Sequence, residues 1–88
     1  MASYVDDAFI LYKGKLRCHM TADSIEELHQ FAQSIGVKRC WFHSSAKRYP
    51  HYDINDVQRD FAIANGCIPV NQYEFVPLAK KISKLNKK

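Results

Sequence analysis

A chain of 88 residues with 47% hydrophobic and 25% charged side chains has the composition of one small globular domain, which excludes a disordered tail protein and leaves little room for a second domain. Its formal charge of +4 is unevenly placed. Residues 1–78 hold eight Lys/Arg against nine Asp/Glu, while Lys80, Lys81, Lys84, Lys87 and Lys88 add five positive charges with no acid among them, so the body lacks the basic surface of a protein that wraps a phosphate backbone.

Tyr4-Val5 reads as a short strand running into Asp6-Asp7, and Phe9 to Tyr12 as a second β-prone piece before a turn at Lys13-Gly14-Lys15. Leu16 to Met20 alternates: Leu16, Cys18 and Met20 share one face, Arg17 and His19 the other, as in a strand with one face in the core. Ser24 and Glu27 form a capping-box pattern ahead of Ile25, Leu28, Ala32 and Ile35 at helical spacing, with Gly36 as the stop. Val37 to Phe42 reads as the next strand and residues 44–52 as a loop.

Asn55 and Gln58 form another capping box, opening a helix through Phe61 and Ala64 that Gly66 stops. Cys67 to Val70 reads as a brief edge strand, because Pro69 has no ladder donor. A third helix follows with Phe75, Leu78, Ile82 and Leu85 on one face; Pro77 predicts that it starts near that residue or kinks there. The order β-(β)-β-α-β-α-β-α predicts an α/β fold: a small single-domain sandwich with a partly parallel sheet of 3–5 short strands and about three helices, spanning residues 1–78, with 79–88 a basic helix end or tail.

The longest apolar run, Ala8 to Tyr12, is far below the ~20 residues of a membrane helix. MASYVDDAF lacks the basic start of a signal peptide. Cys18, Cys40 and Cys67, an odd and widely spaced set, fit reduced thiols in a cytoplasmic protein, with Cys18 and Cys40 on the buried faces of their strands. There is no CxxC, P-loop, GxGxxG or GxSxG, so the sequence supports neither a structural zinc site nor a nucleotide-fold or serine-hydrolase reading.

Two polar constellations remain. Acids and imidazoles gather where strands are expected to end: Asp6 and Asp7; His19, Thr21 and Asp23; His43; His51 and Asp53. His51 and Asp53, two apart in the segment RYPHYDIND, leave an extended chain on the same side, with Tyr52 directed to the core and Pro50 holding the segment straight. Asn55 already caps the following helix, so Asp53 is not needed there. Asp6, Asp23, His51 and Asp53 are candidate metal ligands, and His19, His51 and Asp53 candidate catalytic groups. Mg²⁺ or Mn²⁺ suits this set ahead of Zn²⁺, with a phosphorylated or nucleic-acid ligand. Arg59 is placed to pair with a phosphate or with Asp53, and His29, on the inward side of the first helix, reads as a partly buried, hydrogen-bonded histidine.

The other constellation is Lys38 to Tyr49, where Arg39, Trp41, Lys47 and Arg48 interleave basic and aromatic groups and suit contact with nucleic acid or a protein partner. It supports a second reading: a non-catalytic regulatory module using residues 38–49 and the lysine tail, with the acid–histidine residues forming an internal network. The oligomeric state is not encoded in any recognisable pattern.

Tyr4-Val5-Asp6, Cys18-His19-Met20 with Asp23, Glu27-Leu28-His29 with Phe31-Ala32, Gly36, Phe42, His51-Tyr52-Asp53, Arg59 and Ala64-Asn65-Gly66 together resemble the small bacterial and phage proteins grouped as the domain-of-unknown-function 4031 family, over roughly residues 4 to 70. The resemblance implies that Asp6, His19, Asp23, His29, His51 and Asp53 occupy motif positions. Asp7-Ala8, where relatives have prolines, and the longer Ser44–Pro50 loop depart from the family pattern.

Overall fold

The computed structural model describes the backbone of residues 2–45 and 48–85, and all their side chains except those of Tyr12, Ser44, Ser45, Arg48, Tyr49 and residues 82–85. In chain order the elements are β1 (Ser3–Val5), β2 (Ile10–Tyr12), β3 (Lys15–Ala22), α1 (Ile25–Ser34), a 3₁₀ turn (Arg39–Trp41), β4 (Phe42–Ser45), β5 (Arg48–Asn55), α2 (Asp56–Ala64), β6 (Ile68–Pro69) and α3 (Gln72–Leu85). One sheet runs β4-β5-β3-β1-β6, with β2 also paired to β3. The α/β fold, the three helices and the partly parallel sheet are as the sequence predicts. The sixth strand comes from a segment expected to be a loop.

β3 organises the sheet. Its first half pairs antiparallel with β2 and its second half with β1 along one edge, while β5 pairs along the other. The turn from β2 to β3 has two positive-φ residues, Lys13 (φ 51) and Gly14 (φ 80), as a two-residue type I′ hairpin requires. β6 adds to β1 in parallel at the edge, where Pro69 has no inner ladder bond to supply.

Alternation along β3 and β5 separates two chemistries. Cys18, Met20 and Ala22 of β3, with Tyr52 and Ile54 of β5, are all buried and meet Leu28 and Ala32 of α1 and Ala62 of α2. The opposite face carries Arg17, His19, Thr21, His51 and Asp53 and is crossed by α3, whose Phe75 ring lies 5.9 Å from that of His19. The apolar face is the main core, and the polar face is only partly roofed.

The caps hold as the sequence predicts. Ser24 accepts the Glu27 amide at 3.1 Å, and the Asn55–Gln58 capping box is closed in both directions, at 2.7 and 2.9 Å. α3 begins at Gln72, five residues before Pro77, because Asn71 and Asp7 satisfy its first amides: Glu74 N–H donates to Asn71 Oδ1 at 2.8 Å and Gln72 N–H to Asp7 Oδ1 at 2.9 Å.

Two segments differ from expectation. Val37 to Phe42 is not a strand. The Val37 amide folds back onto Ala32 O at 2.9 Å, Val37 is buried against the end of α1, and Arg39–Trp41 curls into a 3₁₀ turn before β4 starts at Phe42. Residues 48–52 are not loop but the first half of β5. Pro50 is tolerated at an irregularity: between the pairs His43↔His51 and Ser45↔Arg48, Ser44 alone faces Tyr49 and Pro50. A bulge opposite a proline has no sequence signature beyond the proline itself.

Candidate functional site

Register assembles the site. His19 of β3 is paired with Asp53 of β5, and His51 of β5 with His43 of β4. Three adjacent strands therefore place three imidazoles and a carboxylate on one face. The Nε2 atoms of His51, His19 and His43 lie 3.4, 3.8 and 3.0 Å from the Asp53 carboxylate, the first two from Oδ1 and the third from Oδ2. The His19 and His51 rings meet edge-on at 5.0 Å, and those of His43 and His51 stack at 5.5 Å.

Asp6 supports this cluster from behind. It is buried where β1 breaks off, and its amide donates to His19 O at 3.0 Å. Its Oδ1 accepts the amides of His19 (2.8 Å) and Ala8 (3.3 Å), and its Oδ2 lies 2.7 Å from His19 Nδ1. Beside an ionised carboxylate Nδ1 carries a proton, so that in the neutral ring Nε2 is the lone-pair nitrogen, on the side of Asp53. Burial works against ionising Asp6, but the hydrogen bonds from His19 and Ala8 outweigh it and hold its pKa below the usual carboxylate value. Asp53 behaves alike: burial raises its pKa, and contact with His51 and the charges of His51, His43 and His19 more than reverse that.

One donor atom from each of His19, His51 and Asp53 lies within 4.8 Å of the others. A tetrahedral ion with ligand bonds of 2.0–2.1 Å has ligand–ligand edges of about 3.4 Å. The 3.4 and 3.8 Å separations from Asp53 are close to those edges, and the whole donor set lies within 4.8 Å. His43 lies against the other Asp53 oxygen, at 3.0 Å.

Beside the cluster is a cavity of about 550 Å³ lined by Ile10, Arg17, His19, Cys40, Trp41, His43 and Asp53. Arg17 is part of its wall, with the guanidinium 4.5 Å from the centre of the Trp41 ring. Cys40 is exposed rather than buried, since the 3₁₀ turn removes the strand alternation from which burial was expected.

The other predicted residues lie elsewhere. Asp23 is at the far end of β3, about 13 Å along the strand from His19; its carboxylate accepts Ala2 N–H and Tyr4 O–H, both at 2.9 Å, and holds the start of the chain. Arg59 donates from Nε to the Asp6 carbonyl at 2.8 Å and stacks on Phe9 at 5.0 Å, buttressing the Asp6 turn rather than meeting Asp53. His29 Nδ1 pairs with Tyr52 Oη at 2.6 Å on the core face. Arg39 is exposed in the 3₁₀ turn, and its charge acts on His29 and Tyr52. Lys47, Lys87 and Lys88 and the side chains of Arg48 and Lys84 lie outside the described residues, and Lys80 and Lys81 are exposed on α3. Arg17 and His43 were legible only in part. Alternation paired Arg17 with His19, but nothing in the sequence placed Trp41 beneath it.

Residues 3–82 match the family model described as protein of unknown function (DUF4031). The chain belongs to this family. No curated protein and no solved structure matches it. In this family member the motif residues divide between two tasks: Asp6, His19, His51 and Asp53 build the cluster, while Asp23 and His29 make structural hydrogen bonds. None of the described helices is long and apolar enough to cross a membrane.

Proposed function

We propose that His19, His51 and Asp53 bind one divalent transition-metal ion, which the protein uses to bind and hydrolyse a small phosphorylated ligand in the adjoining cavity. The observation that carries this reading is the Asp6–His19–Asp53 line, in which a buried carboxylate fixes the tautomer of an imidazole aimed at a second carboxylate. Two imidazoles and one carboxylate favour Zn²⁺ or Mn²⁺ over Mg²⁺, which prefers oxygen donors; the carboxylates of Asp6 and Asp23 are engaged elsewhere. His19, His51 and Asp53 would hold such an ion beside the cavity, and it would supply a water of lowered pKa and a Lewis acid for hydrolysis of a phosphoester. The free thiols of Cys18, Cys40 and Cys67 support a reducing, cytoplasmic setting.

Thermal unfolding of chelator-stripped protein with Zn²⁺, Mn²⁺ or Mg²⁺ tests the reading. An ion at 100 times its Kd stabilises by about 2.7 kcal/mol, on the order of 10 °C or more for a domain of this size. The shift is expected in the parent with Zn²⁺ or Mn²⁺ and not in a His51→Ala, Asp53→Asn double variant. Equal shifts in both, or none in either, overturn it.

A further inference from the structure

We infer that Arg17, which lies over the Trp41 ring, is the anion-recognition residue of this cavity, and that the ligand is a small phosphate monoester whose phosphoryl group lies between Arg17 and the His19–His51–Asp53 centre. The inference rests on the metal reading and adds the substrate class.

Arg17 and His19 are two residues apart on β3, so their side chains leave the same face with Cα atoms about 6.6–7 Å apart. A phosphoryl group spans such a gap, with one oxygen on the ion and another on the guanidinium. Arg17 Nε is shielded from solvent and has no hydrogen-bond partner among the described residues. Among the described residues no carboxylate pairs with the guanidinium either: Asn55 is its neighbour across the β3–β5 ladder and Ile10 across the β2–β3 ladder. A cation on a cavity wall with a donor unused calls for an oxyanion, and the planar guanidinium matches two oxygens of a phosphate.

The stack on Trp41 has a second consequence. It takes one face of the ring, so Trp41 serves as the platform for Arg17 rather than for a nucleobase. The cavity volume of about 550 Å³ falls within the range of small-molecule sites. A nucleic-acid strand needs a continuous basic groove, whereas residues 1–78 carry one more acid than base. A dianionic monoester balances a divalent ion and one arginine better than a monoanionic diester does.

The test is calorimetry on parent, Arg17→Gln and Arg17→Lys proteins, first with Mn²⁺ alone, then with phenyl phosphate and diphenyl phosphate added to the Mn²⁺-loaded forms. Metal affinity is expected to agree within about twofold in all three. Phenyl phosphate is expected to bind the parent, to bind Arg17→Gln at least tenfold more weakly, and to bind Arg17→Lys at an intermediate level, since lysine keeps the charge but not the fork. Arg17→Lys keeps the question open to measurement if Arg17→Gln does not fold. Metal binding without phenyl phosphate binding, or with equal phenyl phosphate binding in all three proteins, overturns the inference and leaves the metal reading standing. Equal affinity for the diester overturns the monoester assignment. Absence of metal binding removes both.

Discussion

His19 Nδ1 lies 2.7 Å from Asp6 Oδ2, and Asp6 Oδ1 accepts the His19 backbone amide at 2.8 Å. One buried carboxylate thus fixes both the main chain and the ring of the residue opposite Asp53. Asp6→Asn keeps the shape of the side chain but removes the charge that holds the proton on Nδ1. Losses at such supporting positions are typically 10–100-fold in metal affinity, and that range is expected for Zn²⁺ by competition with a chromogenic chelator. An unchanged affinity would show that His19 finds its tautomer without Asp6.

A different pairing sits across the sheet. Tyr52 is almost wholly buried, and its hydroxyl reaches His29 Nδ1 at 2.6 Å. Tyr52→Phe removes that hydrogen bond and leaves the ring packing with Phe42 intact. A cost of about 1 kcal/mol is expected from the lost bond, read as a lower urea midpoint at pH 7.5 with an unchanged slope.

The same pair predicts a pH dependence. Burial, and secondarily the charge of Arg39, push the pKa of His29 below 6.5. The unfolded chain therefore takes up a proton at His29 at higher pH than the folded chain, and stability falls as pH drops from that value. Asp6 and Asp53, whose pKa values are lowered on folding, contribute stability present above the unfolded carboxylate value and lost only at lower pH, below about 4. Urea titrations of parent and His29→Gln between pH 7.5 and 5 separate the terms. The parent is expected to lose more stability over that window than the variant.

These contrasts show what the sequence could carry. Helices were legible because their signals are local: Ser24 with Glu27, and Asn55 with Gln58, sit within one turn of the groups they satisfy. The alternation in β3 placed His19 opposite to Cys18 and Met20, and the i, i+2 spacing placed His51 beside Asp53. Cross-strand register was not legible. Nothing local pairs His43 with His51, or sends Asp23 to the far end of the strand to hold Tyr4. The Arg39–Trp41 turn misled for a related reason: with β-prone residues on either side, only the backbone bond from Val37 to Ala32 shows that the chain has curled.

The caps beside the site allow stability to be changed without changing the proposed metal ligands. Asn55 ends the strand that carries His51 and Asp53, and accepts the Gln58 amide at 2.7 Å. Asn55→Ala is expected to cost about 1 kcal/mol, or roughly 4–8 °C in Tm for a domain of this size. Zn²⁺ is expected to raise the Tm of this variant as much as that of the parent. A lost metal response would mean that the end of β5 is held by the cap rather than by its ladder with β3.

His43 separates ligation from orientation. Its Nε2 is 3.0 Å from Asp53 Oδ2, whereas His19 and His51 approach Oδ1, and its side chain is the most exposed of the three at 41%. If His43 orients the carboxylate, His43→Gln retains a donor for Oδ2 and weakens Zn²⁺ binding by no more than about tenfold, at the mild end of supporting-residue effects. Asp53→Asn and His51→Ala remove atoms proposed to touch the ion and are expected to abolish the metal-induced rise in Tm. Should His43→Gln be as damaging as His51→Ala, His43 is a fourth ligand and the centre is closed, as in structural rather than catalytic zinc sites. Hydrolysis would then lose its water position, and only binding would remain of the proposed activity.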